Sequence, residues 1–197
     1  MTMKSIAPRS RLLSVALTIC CLSLAACSSS SGSGSSQIGF VAGDSGVSTV
    51  PKAKRGKPIE ITGKSLQGKP LDLAGYRDSI VVLNVWGSWC PPCRAEASNL
   101  TKVATEYKNK QVDFIGINTR DDNTSLPLGF EKTYKIKYPS FFDPSGRIIL
   151  NAFPPGTLNP QSIPTTIVLD RDGKIAARAI GAVSTAKLKS MLDPLLA

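Results

Sequence analysis

The run Ile80-Val81-Val82-Leu83-Asn84-Val85-Trp86, followed at once by Gly87-Ser88-Trp89-Cys90-Pro91-Pro92-Cys93, constrains this chain more than any other stretch. A near-continuous apolar, β-branched segment reads as a central strand buried on both faces, so it needs layers of structure above and below it. Two thiols spaced Cys-x-x-Cys at the strand-to-helix junction that follows can form and break a disulfide with each other. The chain contains no histidine. A Ser-His-Asp triad, a Cys-His nucleophile pair, a histidine metal site and CxxCH haem attachment are therefore excluded.

Five cysteines reduce to two. Cys20 and Cys21 lie inside the apolar stretch Leu12–Ala26, which Lys4, Arg9 and Arg11 precede and Cys27 ends. A basic n-region before an apolar h-region reads as a secretory signal, and fifteen residues are short of the roughly twenty a membrane span needs. Leu24-Ala25-Ala26-Cys27 resembles a bacterial lipobox, in which cleavage before a diacylated cysteine leaves it as the new N-terminus. Two or more acyl chains give stable anchoring. Residues 1–26 are thus expected to be a lipoprotein signal peptide and residues 27–52 the lipid-attachment Cys27 with a flexible linker. Ser28–Ser36 contains only Ser and Gly, as suits a tether. The mature chain would keep only Cys90 and Cys93 as thiols. Removing the signal takes the formal charge from +10 to +7. The remaining basic residues are scattered without an aromatic-interleaved RNA motif, so the charge reads as a solvated surface near an anionic membrane, with no nucleic-acid partner.

Apolar content of 42% with 19% charged residues suits a globular domain, expected over residues 53–197. Pro58–Ile61 alternates like a strand, and Leu71–Leu73 follows a Gly-Lys-Pro turn as a second, giving an N-terminal β-hairpin. Pro92 begins a helix with Leu100, Val103, Ala104 and Tyr107 on one face. Val112–Ile117 reads as a strand, about Leu128–Tyr134 as a helix and Tyr138–Asp143 as an extended piece. Thr165–Leu169 and Lys174–Ala179 bracket Asp170-Arg171-Asp172-Gly173 as a hairpin. Leu188, Met191, Leu192 and Leu195 mark a terminal amphipathic helix. This order predicts an α/β fold with a central mixed β-sheet flanked by helices.

A Cys90–Cys93 bridge closes too small a ring to be a useful staple, at ~2 kcal/mol against ~3 for a fifteen-residue loop. Structural zinc needs four ligands and the mature chain has two cysteines. Redox exchange remains. Cys90, at the helix N-terminus where the macrodipole favours a thiolate, is expected to be the more exposed nucleophile, and Cys93 the resolving thiol. Pro91 and Pro92 have no N–H to aim at the Cys90 sulfur. This argues against a strongly depressed thiol pKa and for the reducing side of a scale running from about −270 mV for thioredoxin to about −120 mV for the strong oxidant. Glu96, three residues after Cys93, has a position suited to relay a proton to it; the alternative is an exposed first-turn glutamate complementing the dipole. Spacing alone leaves both open. For Ile163-Pro164-Thr165, base frequency favours a trans bond.

Taken together, Trp89-Cys90-Pro91-Pro92-Cys93, the strand before it, Ile163-Pro164-Thr165 and Asp170-Arg171-Asp172-Gly173-Lys174-Ile175 resemble the thioredoxin superfamily. Within it, the chain is similar to the TlpA/ResA/CcmG-type extracytoplasmic thiol-disulfide oxidoreductases over about residues 56–197. The resemblance implies a thioredoxin-like fold and a cis Pro164 packed against the Cys90–Cys93 disulfide. Trp89, Ile163, Pro164 and Thr165 would form the substrate-docking rim, and Glu96 would be functional. Asn84 stands where thioredoxin carries a buried aspartate, which makes Glu96 the better relay candidate. No cofactor or metal is implied. The expected activity is a membrane-tethered reductase of disulfides in exported proteins, with apocytochrome c as one candidate, fed by a membrane thiol donor. The alternatives are an oxidase or isomerase for exported proteins, or a thioredoxin-fold lipoprotein binding a partner or copper through its dithiol. A peroxidase is disfavoured because no Pro-x-x-x-Thr-x-x-Cys arrangement is present. The stretch Phe153-Pro154-Pro155-Gly156-Thr157-Leu158-Asn159-Pro160 is either a partner groove or a surface loop.

Overall fold

The computed structural model describes residues 38–43 and 46–197. The expected signal segment (residues 1–26), Cys27 and the Ser/Gly stretch after it lie outside the described residues. Strand β5 (Ile80–Trp86) is buried along its whole length. Its even and odd positions serve opposite faces, as the period of two requires. Ile80 and Val82 join one core cluster, whereas Val81, Leu83 and Val85 join another. The strand pairs in parallel with β6 (Val112–Thr119) and antiparallel with β8 (Thr165–Leu169). Outward from these lie β7 (Ser140–Asp143) on one side and β9 (Ile175–Ile180), β2 (Val47–Thr49) and β1 (Val41–Ala42) on the other. The result is a seven-stranded mixed sheet in the order β1-β2-β9-β8-β5-β6-β7.

Helices α1 (Pro91–Tyr107) and α4 (Thr185–Leu196) cover one face through Leu100, Val103, Tyr107, Leu188, Met191 and Leu192. Full burial of such side chains is worth about 1.5–3 kcal/mol each for the aliphatic ones, which is why an amphipathic stripe rather than propensity holds α1 in place. The opposite face is covered by Ile59, Ile61, Leu73 and the short helix α3 (Arg147–Asn151) through Ile149. Helix α2 (Ser125–Thr133) closes the β6–β7 crossover and places Phe130 against Trp86, ring centroids 4.5 Å apart.

Three expectations shift. The alternation of Pro58–Ile61 reports burial rather than pairing. Ile59 and Ile61 are each 3% exposed, but the hairpin strands are β3 (Thr62–Lys64) and β4 (Pro70–Asp72), a separate two-stranded sheet. The sheet also reaches further toward the N-terminus than a boundary at Ala53, because β2 pairs with β9 and Val50 is buried at 1% exposure. The second helix runs Ser125–Thr133, a few residues before the expected span. The β8–β9 turn is tight for a steric reason. Gly173 has φ +75° and a Cβ there would overlap the Arg77 guanidinium, whose Nη2 donates to the Ile59 carbonyl at 3.2 Å.

Candidate active site at the Cys90–Cys93 disulfide

The C-terminal end of β5 delivers Cys90 to the N-cap of α1, with Pro91 and Pro92 in the first turn. Proline suits this turn because its N–H would lack an intrahelical partner anyway. Cys90 and Cys93 form a disulfide. The Cys93 amide donates to Cys90 Sγ at 3.2 Å, the one backbone donor that the proline pair leaves for it in the first turn. Both cysteines are 2% exposed, so Cys90 is not the more exposed of the two. The cause is packing: both sulfurs belong to a cluster with Leu66, Trp86, Ala97 and Phe130, and the Ile163 carbonyl lies 3.9 Å from Cys90 Sγ.

The Ile163–Pro164 peptide bond is cis and Pro164 is buried. Ile163 is half-buried beside the disulfide cluster. Thr165 is 1% exposed, with its hydroxyl donating to the Ser162 carbonyl at 2.5 Å, so its side chain braces the loop rather than facing solvent. Trp89 is 42% exposed. Its indole folds over Gly87 so closely that a Cβ on that glycine would sit 2.7 Å from Nε1.

Glu96 is fully buried, at 0% exposure. The reading of it as an exposed first-turn glutamate therefore does not hold. It points from α1 onto the even-numbered face of β5, where Asn84 Nδ2 donates to Oε1 at 2.8 Å. The Val183 amide, in the loop between β9 and α4, donates to Oε2 at 2.9 Å. Burial pushes this carboxyl up to about 7, and the bonds from Asn84 and Val183 hold it from going higher. Asn84 also donates to Thr166 Oγ1 at 3.2 Å. With Cys93 and Tyr138 it lines a cavity of about 10 Å³, close to the volume one water needs. A carboxyl that titrates near neutrality therefore connects, through Asn84, to the wall behind Cys93.

A second set of residues, which no motif signalled, supports the loop before Cys90. Asp121, 4% exposed, accepts from the Ser88 amide at 2.9 Å, from Ser88 Oγ at 2.5 Å and from Asn118 Nδ2 at 2.7 Å. Arg94 donates from Nη2 to the Ser88 carbonyl at 2.7 Å. These partners are separated in sequence by up to 33 residues, so only the parallel pairing of β5 with β6 brings them together. Elsewhere, Arg178 Nη1 donates to the Gly156 and Thr157 carbonyls at 2.6 and 2.9 Å and so fastens the proline-rich stretch to β9. Among the described residues, no group of three or more His, Cys, Asp or Glu side chains is placed to hold a metal ion.

The Redoxin family pattern matches residues 47–194. The thiol-disulfide oxidoreductase ResA of Bacillus cereus is 31% identical over 129 residues, covering 65% of this chain and 70% of the relative. The thioredoxin-like protein YneN of Bacillus subtilis is 30% identical, covering 66% and 73%. Among solved structures, a DsbF homologue from Corynebacterium diphtheriae aligns at TM-score 0.70 with 35% identity, covering 79% of this chain and 96% of that one. A secreted thiol-disulfide isomerase from Corynebacterium glutamicum aligns at 0.72 with 29% identity, covering 80% and 96%. With a dithiol at a helix N-terminus beside a cis-proline, and relatives of this kind, the chain belongs to the Redoxin family as a TlpA/ResA/CcmG-like thiol-disulfide oxidoreductase of the thioredoxin superfamily.

Proposed function

We propose that this protein is an exported, membrane-tethered reductase of protein disulfides, held at the cell membrane through lipid on Cys27. The observation that carries the redox direction is the environment of the two sulfurs. Cys90 receives one backbone N–H, Pro91 and Pro92 supply none, and the cavity beside Cys93 is walled by Asn84, which is bonded to the buried Glu96 carboxyl. A thiolate so little stabilised makes the dithiol a weak oxidant and a good electron donor. In the reduced protein, the Cys90 thiolate attacks one sulfur of a substrate disulfide. The S–S bond breaks, the first substrate thiol leaves and a mixed disulfide joins Cys90 to the substrate. Cys93 then attacks Cys90 Sγ, its proton passing to Glu96, and the second substrate thiol is released. The substrate gains two electrons and the enzyme is left as the Cys90–Cys93 disulfide, to be reduced again by a membrane dithiol donor. Trp89, Ile163 and Pro164 form the rim on which the substrate chain lies, and Thr165 holds the cis-proline loop in register. Apocytochrome c is a suitable substrate, because its haem-binding cysteines must be reduced before attachment.

A second reading has one observation in its favour: the Corynebacterium glutamicum structure is described as a secreted thiol-disulfide isomerase. An isomerase or oxidase would need a more stabilised Cys90 thiolate than this site offers. Trapping tests the exchange mechanism. Cys93→Ala is expected to accumulate mixed disulfides through Cys90 that mass spectrometry identifies, and Cys90→Ala to accumulate none. Trapping through Cys93 instead, or no adduct from either variant while the wild type turns over, would reject the assigned roles.

A further inference from the structure

Arg120 adopts a left-handed backbone conformation, φ +58°, at the turn after β6. Such a conformation is uncommon for a side chain of this kind and persists only where its surroundings enforce it. Here the enforcement is the next residue: Asp121 is buried and its carboxylate is taken up by Ser88 and Asn118. The turn aims the Arg120 guanidinium onto the Trp89 ring, 4.5 Å from its centroid. A guanidinium held over an indole face satisfies its charge there without using its N–H groups, which remain available to an acceptor. That fork fits a carboxylate with two parallel hydrogen bonds. Arg120 is itself exposed and makes no ion pair among the described residues, where the three that exist join Arg55 to Asp170, Lys174 to Asp172 and Lys189 to Glu106. Asp122, the exposed carboxylate on the same turn, is not among its partners. Arg94, also exposed, donates to the carbonyl of Ser88, the residue before Trp89.

We propose that Arg120, held over the Trp89 ring, is a substrate-docking residue that selects disulfides carrying a carboxylate beside the target cysteine, so that the natural substrates are exported polypeptides with Asp or Glu flanking that cysteine. The inference rests on the exchange reading for Cys90 and specifies its substrate class. Trp89 precedes Cys90 directly, so a carboxylate held on the Arg120 fork places the neighbouring disulfide at the Cys90 sulfur.

The test uses the reduced full chain in single-turnover reactions with three probes. They are a peptide disulfide with Glu on both sides of its cysteine, the same peptide with Lys there, and hydroxyethyl disulfide as the neutral reference. Rates with the two peptides are each divided by the rate with the reference. Wild type is expected to prefer the Glu peptide by about three- to ten-fold, since an exposed charge pair contributes a factor of about two to five and the Lys peptide is repelled. The preference should shrink as salt is raised from 10 to 150 mM, where the screening length falls from about 30 to about 8 Å. Arg120→Gln is expected to bring the ratio near one, and Arg120→Lys to leave an intermediate value because it keeps the charge without the planar fork. Lys174→Gln removes the same charge at the β8–β9 turn, at the opposite end of the sheet, and is expected to keep the wild-type ratio. A wild-type ratio of one overturns the proposal. So does a preference that survives Arg120→Gln or falls equally with Lys174→Gln. Failure of the wild type to reduce even hydroxyethyl disulfide overturns the exchange reading itself, and this inference with it.

Discussion

Replacing Glu96 by Gln should remove a specific component of the pH dependence of folding. The carboxyl titrates at about 7 in the folded protein against an ordinary 4.5. At about 1.4 kcal/mol per tenfold in proton affinity, that gap corresponds to about 3 kcal/mol. Because the folded value is raised, the folded state binds more protons than the unfolded chain between these two pH values. The contribution of Glu96 to stability is therefore fully present below pH 4.5 and is lost as pH rises through 7. Gln resembles the protonated acid and does not ionise. Its one carbonyl oxygen accepts from Val183, and its amide donates to Asn84 once that side chain turns its own oxygen inward and lets Thr166 donate to it. Urea unfolding of the oxidised protein at a series of pH values from 4 to 9 measures the difference. Wild type should lose up to about 3 kcal/mol relative to the Glu96→Gln variant between pH 4.5 and 8. Parallel stability curves for the two proteins would refute the argument, because they would mean that the carboxyl is not held protonated by burial.

Two further substitutions address the loop before Cys90. Asp121→Ala strips the acceptor from the Ser88 amide, the Ser88 hydroxyl and the Asn118 amide, leaving buried donors unpaired. A loss of about 3 kcal/mol is expected in chemical denaturation, and a loss below 1 kcal/mol would show that water replaces the carboxylate without cost. Gly87→Ala would drive the Trp89 indole off its seat, since the added Cβ meets Nε1 at 2.7 Å. The rate of reduction of a peptide disulfide should fall on the order of ten-fold while the fold is kept, and an unchanged rate would remove Trp89 from the docking rim.

What was legible in the sequence was what is local. Ile80–Trp86, the cysteine pair and the Asp170–Gly173 turn each carry their signal within a few residues, and each lies where the pattern puts it. Cys90 exposure was not legible, because the side chains that cover it come from elements up to 73 residues away, including Ile163. The same holds for Glu96, whose partners Asn84 and Val183 lie 12 and 87 residues from it. The strand at Val47–Thr49 is short and Ser-containing, and it exists because β9 offers it an edge rather than because of its own propensity. Asp121 follows no motif and becomes visible only once β6 lies beside β5. The proline-rich stretch is fastened by a residue of β9, Arg178, which bonds its backbone and makes it a held approach to the cis-proline.

The reduction potential of the Cys90–Cys93 couple tests the central claim most directly. Equilibrating the protein with defined dithiothreitol buffers and counting free thiols by mass after alkylation gives it without a substrate. A value close to that of thioredoxin, at about −270 mV, is expected for a Cys90 thiolate with so few donors. A value near about −120 mV would contradict the proposed direction of electron flow and assign the protein to disulfide formation instead.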